Sequence, residues 1–130
     1  MILAVLANAD PVAFVGSSDL GASREFYAGV LGLRLVESSE FADAFDAHGT
    51  QLRVTRVARP AQAPYTVLGW RVEDILASVR ALQGAGVAFC RFDELDQDED
   101  GVWTAPGGSR VAWFADPDRN LLSLQQAPAG

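Results

Sequence analysis

Lysine is absent from this chain: all ten basic residues are arginines. That removes Schiff-base chemistry on a lysine and the lysine of a phosphate-binding loop. The one cysteine, Cys90, has no partner for an internal disulfide, so the fold assumes no oxidising compartment and reads as cytoplasmic. The one histidine, His48, is equally limiting: a His/Cys zinc site would have to use both residues and still draw on carboxylates. Long apolar runs are missing too. Near the N-terminus only Ile2–Ala7 is continuously apolar, with no basic residue before it. Ala7-Asn8-Ala9 imitates a signal-peptidase site, but the run is too short and the flank is wrong. No stretch approaches the ~20 apolar residues of a membrane helix. Positive charge is also in deficit: 10 basic against 17 acidic side chains give a net charge of -7. Nonspecific nucleic-acid binding, which needs a basic face, is not expected.

What is present is an ordinary globular composition. The 130 residues suffice for one domain, with 49% hydrophobic and 21% charged content. A domain of this size hides roughly two thirds of the surface its unfolded chain exposes. The chain also repeats its own grammar. Pro11-Val-Ala-Phe-Val-Gly-Ser-Ser-Asp19 is a short apolar strand running into an Asp that can cap the following helix. That helix carries Leu20, Phe26, Tyr27, Val30 and Leu31, and its i,i+4 pairs Phe26/Val30 and Tyr27/Leu31 predict one sheet-facing stripe ended by Gly32. The pattern returns in Tyr65–Asp74, followed by Ile75, Leu76, Val79 and Leu82 at helical spacing and closed by Gly84 and Gly86.

Strand grammar follows each helix. The first half offers Leu33–Glu37, Ala42–Asp46 and Gln51–Val57, and the second Val87–Phe92, a short Gly101–Ala105, Val111–Phe114 and Leu121–Gln125. Each half therefore reads β-α-β-β-β, about 11–58 and 65–126 within one domain, joined by Arg59-Pro-Ala-Gln-Ala-Pro64. A half of roughly 55 residues cannot bury both faces of a helix-backed sheet, so two halves must pair, within one chain or across a dimer.

With that grammar in view, Asp19-Leu-Gly-Ala-Ser-Arg-Glu-Phe-Tyr-Ala-Gly-Val-Leu-Gly-Leu33 and Phe114-Ala-Asp-Pro-Asp-Arg-Asn-Leu-Leu-Ser-Leu124 resemble the vicinal oxygen chelate superfamily of glyoxalases, bleomycin resistance proteins and extradiol dioxygenases. The resemblance covers about residues 11–126. It implies an α+β fold of two paired βαβββ modules forming a curved mixed sheet with helices on the outside, and a homodimer. Arg119 stands where the family usually has Gly, which suggests a turn with no strict need for positive φ.

The resemblance also locates the superfamily's four metal-ligand positions. They fall at Val12 and Val67 on the opening strands and at Arg53 and Ser123 on the closing ones. None is a usual ligand for a divalent cation, and Arg53 brings a positive charge. A register error of one residue offers Pro11, Thr66, and Leu52 or Val54, which are no better. No metal and no cofactor are expected, and without a metal the glyoxalase and dioxygenase mechanisms lose their Lewis acid.

Three other features are read as structural. Asp96-Gln-Asp98-Glu-Asp100-Gly101 imitates the opening of a calcium loop, but its twelfth position is Gly107 after Pro106 instead of a Glu. It reads as a solvated acidic loop. His48, in Ala47-His48-Gly49, reads as a hairpin-turn residue, with general acid/base work the alternative. Cys90 reads as a packed thiol beside Phe89 and Phe92, with Arg91 on the other face.

Strand alternation then assembles a pocket. Val12, Phe14 and Gly16 share one face, as do Val67, Gly69 and Arg71; Gln51, Arg53 and Thr55; and Leu121, Ser123 and Gln125. The expected ligand-binding set is Phe14, Gln51, Arg53 and Ser123, with Trp103 and Trp113 at the rim. A greasy cleft containing Arg suits a small-molecule ligand that is aromatic and anionic. Arg53 needs either that anion or an internal carboxylate. Two functions follow: a metal-free small-molecule binder of the bleomycin-resistance type, or a metal-dependent lyase or dioxygenase using other donors, such as His48 with nearby acids.

Overall fold

A computed structural model describes residues 5–129, so Ile2, Leu3 and Ala4 of the N-terminal apolar run lie outside the described residues. The chain runs β1 (Val12–Ser17), α1 (Leu20–Arg24), a π-helical segment (Glu25–Val30), β2 (Arg34–Ser38), β3 (Ala42–Ala47), β4 (Thr50–Arg56), β5 (Leu68–Arg71), α2 (Ile75–Gly84), β6 (Trp103–Thr104), β7 (Arg110–Ala115) and β8 (Leu121–Gln126). The strands form two four-stranded mixed sheets of the same order, β1-β4-β3-β2 and β5-β8-β7-β6. The α+β class and the doubled βαβββ order are as expected from the sequence. The eight strands are hydrogen-bonded as two sheets, not as one continuous ladder.

Both helices start where the sequence places them. Asp19 and Asp74 sit in extended backbone, and their carboxylates accept from the N–H groups of Ala22 and Ala77, satisfying first-turn donors. In β1, Ala13 and Val15 turn toward the helices, while Val12 and Phe14 turn away and stay exposed. Tyr27, Phe45, Leu52, Val54, Ile75, Val79, Phe114 and Leu122 form a single core drawn from both halves. Each sheet thus buries its helix-bearing face in this core and leaves the opposite face open.

The halves dock within the chain through this core and through the turn Asp116–Asn120. The buried Asp116 carboxylate accepts from the Tyr27 hydroxyl at 2.6 Å, and Asp118 accepts from the Ser18 N–H and hydroxyl. Asn120 donates its Nδ2 to the Gly16 carbonyl at 2.9 Å. The Phe26 ring, on the first helical segment, lies 6.4 Å from that of Phe114 in the second sheet.

Three expectations require correction. The first helix is not α-helical to Val30: the ring of the backbone bond widens, with the Leu31 N–H donating to the Phe26 carbonyl. Phe26 is thereby paired with Leu31 in place of Val30. Val87–Phe92 is not a strand. It makes one isolated bridge, Phe89 to Phe114, because a side chain takes the place of its second neighbour. The Gln97 amide accepts from the Phe92 N–H at 2.7 Å and donates to the carbonyls of Cys90 at 2.9 Å and Gly101 at 2.8 Å. Finally, Arg119 does adopt a positive φ of 65°, in the left-handed region that glycine occupies without strain. The Asp116 carboxylate, accepting from the N–H groups of Asp118 and Asn120, fixes the turn around it.

Candidate functional site

The strand register decides which side chains share a surface. In the first sheet Phe14 lies beside Arg53, Arg53 beside Ala44, and Val12 beside Gln51. In the second, Gly69 lies beside Ser123 and Ser123 beside Trp113, while Arg71, Gln125, Val111 and Trp103 form the next row. All six expected site residues therefore sit on open faces, but in two groups. Phe14, Gln51 and Arg53 belong to the first sheet, and Trp103, Trp113 and Ser123 to the second. The two groups stand on different sheets, and the open surfaces meet where Phe14 and Val67 line one hollow of about 340 Å³.

On the first sheet, Phe14 is 62% exposed and Gln51 is exposed. Arg53 makes no ion pair or hydrogen bond among the described residues, whose salt bridges involve Arg24, Arg34, Arg80 and Arg110. Its charge is not answered by an internal carboxylate among the described residues.

On the second sheet the side chains enclose a hollow of about 450 Å³, lined by Thr66, Gly69, Trp70, Arg71, Val111, Trp113, Ser123 and Gln125. Trp113 is held in place by Phe92, packed edge-on at 5.3 Å, and by Trp103, tilted at 6.2 Å. Gly69 forms part of the floor: a Cβ there would come within 2.9 Å of the Ser123 hydroxyl. Arg71 was placed on this face by alternation but not among the expected site residues. It too is without a partner among the described residues. A second hollow of about 370 Å³, lined by Tyr65, Phe92, Leu95 and Leu121 among others, adjoins the first across Thr66 and Trp113.

The four positions that the superfamily uses for metal lie on these open faces. They present two isopropyl groups, a guanidinium and a hydroxyl, which offer no anionic or imidazole donor, so the residues present do not fit that metal. Nor do the described residues contain any group of three or more His, Cys, Asp or Glu able to hold an ion. His48 occupies the tip of the β3–β4 hairpin with φ 53°, exposed and followed by Gly49 at φ 91°, as a two-residue hairpin turn of this hand requires. The acidic loop is tied into its own turn. Asp98 accepts from the N–H groups of Asp100 and Val102, and Asp98 and Asp100 pair with Arg110 and Arg80. Cys90 is half-buried and burial pushes its thiol pKa up, while Arg91 donates to the carbonyls of Asp98 and Glu99. No helix among the described residues is long and apolar enough to cross a membrane.

Comparison with known proteins agrees with the fold so described. The family model of the Glyoxalase/Bleomycin resistance protein/Dioxygenase superfamily matches residues 9–124. No curated protein matches. Among solved structures the fold is similar to a glyoxalase/bleomycin resistance protein/dioxygenase from Alicyclobacillus acidocaldarius, at TM-score 0.69 and 20% identity over 92% of this chain and 91% of that one. It is also similar to a lactoylglutathione lyase from Agrobacterium tumefaciens, at TM-score 0.68 and 16% identity over 92% and 94%. A fosfomycin resistance protein from Mesorhizobium loti gives TM-score 0.67 and 13% identity over 92% of each chain. At these identities the likeness shows the fold alone. The chain belongs to the glyoxalase/bleomycin resistance protein/dioxygenase superfamily.

Proposed function

We propose that this member of the superfamily is a cytoplasmic, metal-free protein that binds a small aromatic anion on its open sheet faces and acts as a homodimer. The observation that carries the reading is chemical: the positions available to a metal hold Val12, Arg53, Val67 and Ser123. A guanidinium attracts an anionic ligand where a carboxylate or imidazole would have held a cation. Phe14, Trp103 and Trp113 supply flat apolar surface, and Gln51 and Ser123 supply hydrogen-bonding groups.

The homodimer reading is supported by what the open faces leave uncovered. Val12, Phe14, Tyr65 and Val67 are all exposed, and apolar surface grouped in this way favours association. A second copy laying its first sheet over the hollow of the second sheet would unite the two groups of site residues across the interface.

Native mass spectrometry of EDTA-treated protein reads mass and ligand uptake together. The expected result is a dimer that takes up an aromatic carboxylate without added metal. Arg53→Ala should weaken that uptake by about tenfold, the order of one charge-assisted hydrogen bond. Uptake that appears only when a divalent cation is added, or that survives loss of the arginines on both open faces (Arg53→Ala with Arg71→Gln), would overturn the reading.

A further inference from the structure

The second sheet carries a more specific arrangement, and the inference drawn from it rests on the binder reading above. We infer that the hollow beside β5 and β8 is a recognition site for a planar aromatic carboxylate, with Arg71 as the carboxylate anchor and Trp113 as the stacking platform.

Four observations converge on that chemistry. Arg71 lines the hollow, and its guanidinium has no internal partner among the described residues. It presents paired N–H donors that match the two oxygens of a carboxylate. Trp113 lines the same hollow, and two other aromatic rings fix it, so its indole is a preorganised surface for a flat ring. Thr66, Ser123 and Gln125 bring hydrogen-bonding side chains that make no hydrogen bond within the chain among the described residues. Gly69 keeps the floor clear, because any side chain there would meet the Ser123 hydroxyl.

Charge and shape together select the ligand class. A neutral aromatic would leave Arg71 unanswered, and an aliphatic acid would leave the indole face uncovered. Arg53, by contrast, has Phe14 and Ala44 as its register neighbours. Phe14 is an aromatic surface there, but the hollow it lines does not include Arg53.

The test compares 2-naphthoate with its uncharged isostere 2-naphthamide by calorimetry, on the wild-type chain and on Arg71→Gln. Arg71 is exposed, so the substitution leaves the core untouched. The expected result is that naphthoate binds the wild type about tenfold more tightly than naphthamide, and that Arg71→Gln abolishes this preference while leaving naphthamide binding within about twofold. In the NMR spectrum the indole N–H resonance that is missing from Trp113→Phe should shift on adding naphthoate. No binding of naphthoate, equal binding of the two compounds to the wild type, or an unchanged preference in Arg71→Gln would overturn the inference. If Arg71→Gln is silent while Arg53→Ala loses the preference, the inference fails and the metal-free binder reading stands. If aromatic acids bind only with added divalent cation, both fail.

Discussion

Tyr27 concentrates the residue-scale account. It is fully buried, and its hydroxyl donates to an Asp116 carboxylate that also takes the Asn120 side-chain N–H at 2.7 Å. Burial, and then the Asp116 charge, push the Tyr27 pKa up from its ordinary value. The raised value means that the folded state holds this proton more tightly than the unfolded chain does. Its contribution is therefore complete below about pH 10, the ordinary range for tyrosine, and is lost as pH rises above that range. Tyr27→Phe is expected to cost about 2 kcal/mol at pH 7, a hydrogen bond to a charged acceptor. By urea unfolding, the gap between variant and wild type should narrow above pH 10; a constant gap from pH 7 to 11 would contradict the account. At this scale the sequence is legible where interactions are local. The Asp19 and Asp74 caps reach only three residues ahead, whereas the partner of Tyr27 lies 89 residues away. The left-handed Arg119 is the exception among local features: its partners are near in sequence, but the hydrogen bonds of its turn outweigh the residue's own preference.

Elements were legible in kind and order more than in detail. Alternating strands such as β4, with Leu52 and Val54 buried and Gln51 and Arg53 turned out, declare their faces directly. The π-helical widening leaves no comparable trace, because a run such as Glu25–Val30 fits an α-helix equally well. Val87–Phe92 is the instructive failure. Its pattern is that of a strand, but the Gln97 amide makes the hydrogen bonds a neighbouring strand would have made. Gln97→Ala is expected to destabilise the chain by about 2 kcal/mol, since it removes three bonds to part-buried backbone. It should also make Cys90, whose thiol is held back by burial, about tenfold faster to alkylate in native conditions through local opening. Unchanged alkylation would mean that the segment is held by its apolar contacts alone.

At the scale of the whole molecule, the repeat foretold two similar βαβββ modules, but not that their strands would form two separate sheets or how these would meet. Docking rests on Asp116, Asp118 and Asn120 reaching across to Tyr27, Ser18 and Gly16, contacts with no sequence spacing to announce them. The consequence for the candidate site is geometric. Phe14, Gln51, Arg53 and Ser123 stand on the faces that alternation assigned, and the register places Trp103 and Trp113 with Ser123, yet each chain presents the six as two groups on different sheets. Arg71 was visible on its face from the start, and its importance emerged only with the hollow shared with Trp113. The central claim is that the superfamily's cation-holding positions have become an anion-attracting surface. Elemental analysis of protein purified from medium rich in zinc, nickel, iron and manganese tests it most directly. The account predicts far less than one equivalent of each per chain; a near-stoichiometric, tightly held metal would contradict it.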